Sequence, residues 1–259
     1  MTLTSTLLDF DVEPTDWDGP FELVKCSKAL HPSSIPPVRY SLNPYGGCEH
    51  GCVYCFAPLY THSDPSKWRV VRVKTNIVER LAKELPNTEG AIGLGSVTDA
   101  YQAAEGRFRL SRLCLELLRD KDREVFIITK SPLVLRDVNV LKEMRSTVAF
   151  SITNPDPKIC RITEPGAPIA EERFKALKEL VDNGIDACVF IAPIMNKLEG
   201  FEEELANSIA KTGVEKVFLD PLKLKDTDID RLGRMGIRPS KSVELEVVEA
   251  CKSAGLKFI

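Results

Sequence analysis

The stretch LNPYGGCEHGCVYCFAP, residues 42–58, places Cys48, Cys52 and Cys55 within eight positions and brackets them with Gly46, Gly47 and Gly51. Soft thiolates at this spacing, on a loop that glycines allow to bend, can close on one metal centre, with an iron–sulfur cluster or zinc as the candidates. A structural zinc site normally has four ligands, and a ferredoxin-type cluster also takes four cysteines. Only three are local here. His50 or His62 would complete a zinc site, which would make the chain a binding or structural protein. The alternative is a four-iron cluster on three thiolates, with one iron left open to another ligand.

The other cysteines, Cys26, Cys114, Cys160, Cys188 and Cys251, are single and scattered, and most read as core residues. Other chemistry is poorly represented. His31, His50 and His62 form no HExxH and pair with no nucleophile, and GLGS (93–96) lacks the rest of a dinucleotide fingerprint. TDAYQAAE (98–105) gathers Asp99, Tyr101, Gln102 and Glu105 as substrate or cofactor contacts. The competing reading is a helix start, with Asp99 capping and Glu105 near the dipole. Glu164 in RITEPGAP is similar, a substrate contact or a loop anchor paired with Arg161.

Behind these residues lies an alternating pattern. VRYSL (38–42), AIGLGS (91–96), EVFIIT (124–129), VAFSIT (148–153), ACVFIA (187–192) and KVFLD (216–220) read as buried parallel strands. Between them, Ile77, Leu81 and Leu85 share a helical face, as do Leu110, Leu113, Cys114 and Leu117, and then Phe174, Leu177, Leu180 and Val181. FEEELANSIAKTG (201–213) and SVELEVVEACKSAG (242–255) complete the series. Six strand–helix units predict an α/β fold of right-handed βαβ units, either an open doubly wound sheet or a partial barrel. Both place their chemistry at the C-terminal ends of the strands, where the cysteine loop begins. Residues 1–37, rich in proline, read as an irregular N-terminal arm packed on a body spanning 38–259.

At 259 residues and 43% hydrophobic composition the chain can bury a sizeable core. The formal charge of −3 weighs against an obligatory nucleic-acid partner gripped by surface charge. The opening MTLTSTLLDFDVEP has neither the basic start nor the apolar core of a secretory signal, and no segment is long and apolar enough to span a bilayer. A cytoplasmic location is therefore expected, where thiols stay reduced and clustered cysteines bind metal.

CxxxCxxC with an aromatic residue, Tyr54, before the last cysteine resembles the signature of the radical S-adenosylmethionine (radical SAM) superfamily. The resemblance extends to the branch related to spore photoproduct lyase. It rests on NPYGGCEHGCVYCFA (43–57), GSVTDAYQAAEGRFRLSR (95–112), ITKSPLVLRDVNVL (128–141), SITNPDPKICRITEPGAP (151–168) and VFIAPI (189–194), in order. It implies a partial (β/α)6 barrel and an enzyme of lyase or oxidoreductase type carrying a 4Fe-4S cluster and SAM. Such an enzyme cleaves SAM reductively to a 5′-deoxyadenosyl radical that abstracts hydrogen from substrate, and needs an external one-electron donor of the flavodoxin or ferredoxin type.

Residue by residue, the resemblance implies Cys48, Cys52 and Cys55 as cluster ligands and Tyr54 near the adenine. Thr98 stands where the lyase has a SAM-contacting serine, with Asp99 beside it. Lys130 would meet the SAM carboxylate, Ser151 the ribose or methionine portion, and the backbone at Ile191 and Ala192 the adenine. Without the resemblance, Lys130 reads as a solvated loop lysine and Ser151 as a strand hydroxyl bonded locally.

One departure matters. Ser96 stands where the lyase carries its hydrogen-donor cysteine, and a serine O–H bond is too strong to donate a hydrogen atom as a thiol does. The expected substrate is thus a small molecule, a nucleotide or a residue of another protein, with nucleic acid not favoured. The absence of a second cysteine cluster also disfavours sulfur insertion.

Overall fold

The computed structural model describes residues 19–35, 38–224 and 226–259. The first eighteen residues of the expected arm, with Pro36 and Pro37, lie outside the described residues. Within the rest of the arm two short strands form, β1 (Phe21–Val24) and β2 (Leu30–Pro32). The body opens with β3 (Tyr40–Leu42), β4 (Tyr45–Gly46), α1 (Ala57–Tyr60), β5 (Val71–Lys74), α2 (Ile77–Glu84) and β6 (Ile92–Leu94). It continues with α3 (Ala103–Phe108), α4 (Leu110–Arg119), β7 (Val125–Thr129), α5 (Val138–Leu141), β8 (Ser146–Ser151), α6 (Pro157–Thr163), α7 (Ala170–Asp182) and β9 (Asp186–Ile194). The series ends with α8 (Glu202–Ala210), β10 (Lys216–Pro221), α9 (Asp226–Arg234), α10 (Lys241–Ser253) and β11 (Lys257–Phe258).

All six expected strands form. They lie side by side in the order β10-β9-β8-β7-β6-β3 within an eight-stranded sheet, with β11 at one edge and β2 at the other. Every pairing from β3 to β11 is parallel, whereas β2 runs antiparallel to β3. The two edge strands do not pair, so the sheet remains open, a partial barrel. Ile92, Leu94, Ile127, Val148, Phe150, Val189, Ile191 and Val217 are buried, as strands covered on both faces require.

The covering helices bury apolar stripes. α4 differs from expectation in phase: Leu110, Ser111, Cys114, Leu115 and Leu118 are buried, and Leu113 and Leu117 only half-buried. Apolar residues at 113, 114, 115, 117 and 118 allow two overlapping stripes, and packing buries the one through Leu110, Cys114, Leu115 and Leu118; Arg109, with a left-handed φ of 51°, separates α3 from α4. On α7 the buried stripe includes Arg173 together with Ala176, Leu177 and Leu180.

A second, three-stranded sheet, β1-β5-β4, lies where the sequence pattern predicted none. β4 sits immediately before the cysteines and runs antiparallel to β5, pairing Tyr45 with Val73. β1 extends this sheet, pairing Phe21 through Val24 with Val71 through Lys74. The cysteine loop is thus rooted in a hairpin arm rather than hanging free from the main sheet.

Candidate active site at the strand ends

The cysteine loop leaves β4 through Gly47, which takes φ +78°. A Cβ there would stand 2.5 Å from the Val70 carbonyl oxygen and 2.7 Å from that of Trp68, so only glycine fits. The next amide, that of Cys48, donates to the Trp68 oxygen at 2.8 Å. Cys48 packs with Ala57, Trp68, Cys55 and Val97, and none of the three loop cysteines is in a disulfide.

The far side of the loop rests on the turn after α6. The Val53 amide donates to the Thr163 oxygen at 2.9 Å, and the Gly166 amide to the His50 oxygen at 2.9 Å. Contact is so close that a Cβ on Gly166 would lie 2.3 Å from the Glu49 oxygen. From a third direction the Arg231 guanidinium of α9 donates to the Val53 oxygen. Val53 and Tyr54 there pack on Met195, Leu222, Leu232 and Ile237.

Glu164, fully buried, is the hub of the site. Its carboxylate accepts hydrogen bonds from the Tyr54 hydroxyl and the Arg173 guanidinium, and from the Thr153 hydroxyl at 3.0 Å. The Lys130 amine stands 3.9 Å away and lies 5.9 Å from the centre of the Tyr54 ring. Burial opposes ionisation of Glu164, but Arg173, then Lys130 and the Tyr54 hydrogen bond, outweigh it and hold the carboxyl down to about 2. Arg173 also donates to the Pro168 oxygen at 2.7 Å and the Ser151 oxygen at 3.0 Å. It replaces the expected partner Arg161, which is exposed on the outer face of α6.

Asp99 ties this hub to the cysteine loop. It accepts from the Tyr101 amide at 2.8 Å, the Thr129 hydroxyl at 2.8 Å and the Lys130 amide at 2.7 Å. Its second oxygen lies 3.5 Å from His50 Nδ1. Asp99 is therefore not the cap of α3 that the sequence alternative supposed; it fixes the end of β7, where Lys130 begins. Burial pushes the Lys130 amine towards neutrality, but Cys52 and Glu164 more than offset it and its pKa is raised.

The remaining expected residues divide. Ser151 ends β8 and Ile191 lies in β9, both buried, with Ala192 half-buried beside Ile191 at the same end of the sheet. The buried Thr98 directs its hydroxyl to the Tyr45 oxygen at 3.4 Å. Tyr101, Gln102 and Glu105 are fully enclosed, and their hydrogen bonds run inward. Tyr101 donates to Asp137 at 3.0 Å, while Glu105 accepts from Tyr45, from Arg136 at 2.6 Å and from the Ser111 amide at 2.9 Å. The expectation that these three face a substrate does not follow from their positions, since Tyr101 and Glu105 turn towards the scaffold and Gln102 towards the backbone of the cysteine loop. Arg173, Thr153 and Arg231 were missed. For Arg173 a signal existed, a charged residue in phase with the apolar stripe of α7.

The donor set fits a polynuclear cluster. Burial pushes the Cys52 thiol up to about 12, while Lys130 pulls the other way, a cation placed to favour thiolate there. Cys48 is raised too, by burial and then by Asp99. Among the described residues no group of three or more His, Cys, Asp and Glu side chains is placed to hold a single ion. His50 turns Nδ1 to Asp99 at 3.5 Å, which orients its ring beside the loop cysteines.

Comparison with known proteins agrees. Residues 42–209 match the profile of the radical SAM superfamily. An uncharacterised protein of Methanocaldococcus jannaschii is 37% identical over 180 residues, covering 68% of each chain. One of Mycobacterium tuberculosis is 32% identical over 233 residues, 83% of this chain and 68% of its own. Among solved structures, spore photoproduct lyase in a cysteine-to-serine form superposes with a TM-score of 0.72 at 16% identity, covering 92% of this chain and 82% of the lyase. SuiB of Streptococcus suis with bound S-adenosylmethionine gives 0.54 at 13% identity, over 85% of this chain and 49% of its own. At these identities the structures establish shared architecture. Taken with the profile and the relatives, they make the chain a member of the radical SAM superfamily, whose enzymes use a 4Fe-4S cluster and SAM.

Proposed function

We propose that this protein binds a 4Fe-4S cluster through Cys48, Cys52 and Cys55 and uses SAM to abstract hydrogen from a substrate other than nucleic acid. When bound, cluster and SAM supply the one-electron cleavage that yields a 5′-deoxyadenosyl radical, with the electron coming from an external carrier protein. The observation that carries the reading is Lys130, a half-buried cation at the end of β7 whose amine stands 3.9 Å from Glu164 and 5.9 Å from the centre of the Tyr54 ring.

The chain's own groups have separable tasks. Lys130 offers its ammonium to the carboxylate of SAM, and Glu164 with Arg173 keeps that ammonium and the Tyr54 ring in place. Thr98, Asp99 and Ser151 line the same strand ends, with the backbone at Ile191 and Ala192 bordering the adenine. The loop ties to Trp68, Thr163 and Gly166 close the site against water, which protects a reactive radical.

Ser96 supports a reaction different from that of the lyase. Its hydroxyl accepts from the Asn43 amide at 3.2 Å, while the Asn43 side-chain oxygen takes the Val97 amide at 3.1 Å. A structural hydroxyl thus stands where a thiol donor would be required.

The test is anaerobic reconstitution with iron and sulfide, reduction with dithionite in the presence of SAM, and assay for 5′-deoxyadenosine. Brown protein whose product formation vanishes in Cys52→Ala supports the proposal. Colourless protein that retains zinc and forms no deoxyadenosine overturns it.

A further inference from the structure

Gln102 follows the cysteine loop by fifty residues, yet its carboxamide spans Cys48. Its Nε2 donates to the Gly47 oxygen at 3.2 Å, and its Oε1 accepts from the Glu49 amide at 3.0 Å. The side chain is fully buried. Glu49 reciprocates, its carboxylate accepting from the Ala104 amide at 2.9 Å at the start of α3. The loop and α3 therefore exchange three hydrogen bonds, two on either side of one cysteine.

Only an amide side chain can donate in one direction and accept in the other at this length. Glutamate keeps the acceptor and loses the donor, and methionine keeps the length and loses both. Opposite Gln102 the backbone of residues 47–48 is pressed against the 68–70 segment, through the Trp68 bond and the Gly47 close approach. The peptides flanking Cys48 are thus gripped from two sides, by Gln102 and by the 68–70 segment.

We propose that Gln102 is a positioning residue for the first cluster ligand: it sets the Cys48 thiolate for the cluster and contributes neither to SAM nor to substrate binding. This rests on the reading of Cys48 as a cluster ligand given above. A side chain that orients a ligand typically changes metal retention by about 10–100-fold when lost.

The experiment compares native protein with Gln102→Met and Gln102→Glu in two measurements. The first is the rate at which anaerobically reconstituted protein loses its absorbance near 400 nm to an iron chelator, with the electron paramagnetic resonance spectrum of the reduced form. Gln102→Met is expected to release iron about tenfold faster or more and to show shifted g-values, with Gln102→Glu in between. Native release rates and an unchanged spectrum in Gln102→Met overturn the proposal.

The second measurement needs no iron: hydrogen exchange of the Glu49 amide in the metal-free chain. It is expected to quicken in Gln102→Met and stay near native in Gln102→Glu, which retains the acceptor. Equal exchange in all three proteins overturns the proposal even if Gln102→Met is too unstable to reconstitute. If the native chain itself never turns brown, the cluster reading fails, and the exchange data still report whether Gln102 holds the loop.

Discussion

Glu164 and Arg173 are both enclosed, and the charge of each is balanced chiefly by the other. Glu164→Gln removes one half and leaves a buried guanidinium uncompensated, which should cost about 3–5 kcal/mol in urea unfolding of the metal-free chain at pH 7. The pH dependence has a definite sign. The carboxyl is depressed from an ordinary 4.5 to about 2 in the folded protein, so the stability it confers is complete above about 4.5 and drains as pH falls towards 2. The stability gap between native and Glu164→Gln should therefore narrow over that window. A gap that stays constant would mean the ionised carboxylate is not what holds the site. Lys130→Met should weaken SAM binding by about 10–100-fold, the loss of a charge-assisted hydrogen bond, in equilibrium dialysis with the cluster intact. At this scale the sequence showed the cysteines clearly, because their spacing along one loop is itself the geometry. It hid the pairing of Glu164 with Arg173, which depends on the turn between α6 and α7, although the phase of Arg173 with Leu177 and Leu180 marked an inward-facing arginine.

Among the elements, the decisive one is the turn after α6, because Gly166 touches the cysteine loop directly. Gly166→Ala would set a methyl 2.3 Å from the Glu49 oxygen and 3.1 Å from His50 Cα, all backbone of the cysteine loop, which must shift to admit it. The variant should fold with a modest drop in melting temperature but bind less than half the native iron, measured per chain after reconstitution. Iron content equal to native would show that the turn yields without disturbing the loop. The six parallel strands were apparent as short apolar runs because strands covered on both faces need little else. β4 was invisible, being two residues long with a glycine, and its pairing with β5 is a contact between separate segments. The phase of α4 was misjudged because leucines at 113, 115, 117 and 118 offer two overlapping apolar stripes, and only packing against the sheet chooses between them.

At the scale of the molecule, a formal charge of −3 weighs against a grip on a polyanion through net charge. Retention on a random DNA duplex should therefore be weak at 50 mM salt and should lack the steep decline with salt that many phosphate contacts produce. A log–log slope steeper than about −4 would return nucleic acid to the list of substrates. No helix among the described residues is long and apolar enough to cross a membrane. The ties on the cysteine loop have one more consequence, for biosynthesis. Cys48 is made early, whereas its neighbours in the fold, Gln102, Gly166 and Arg231, arrive in that order, the last from α9. At about 5–20 residues per second, roughly 10–40 s separate the translation of Cys48 from that of Arg231. Through that interval the loop gains its ties one after another, and it is held from all three directions only once translation has passed α9.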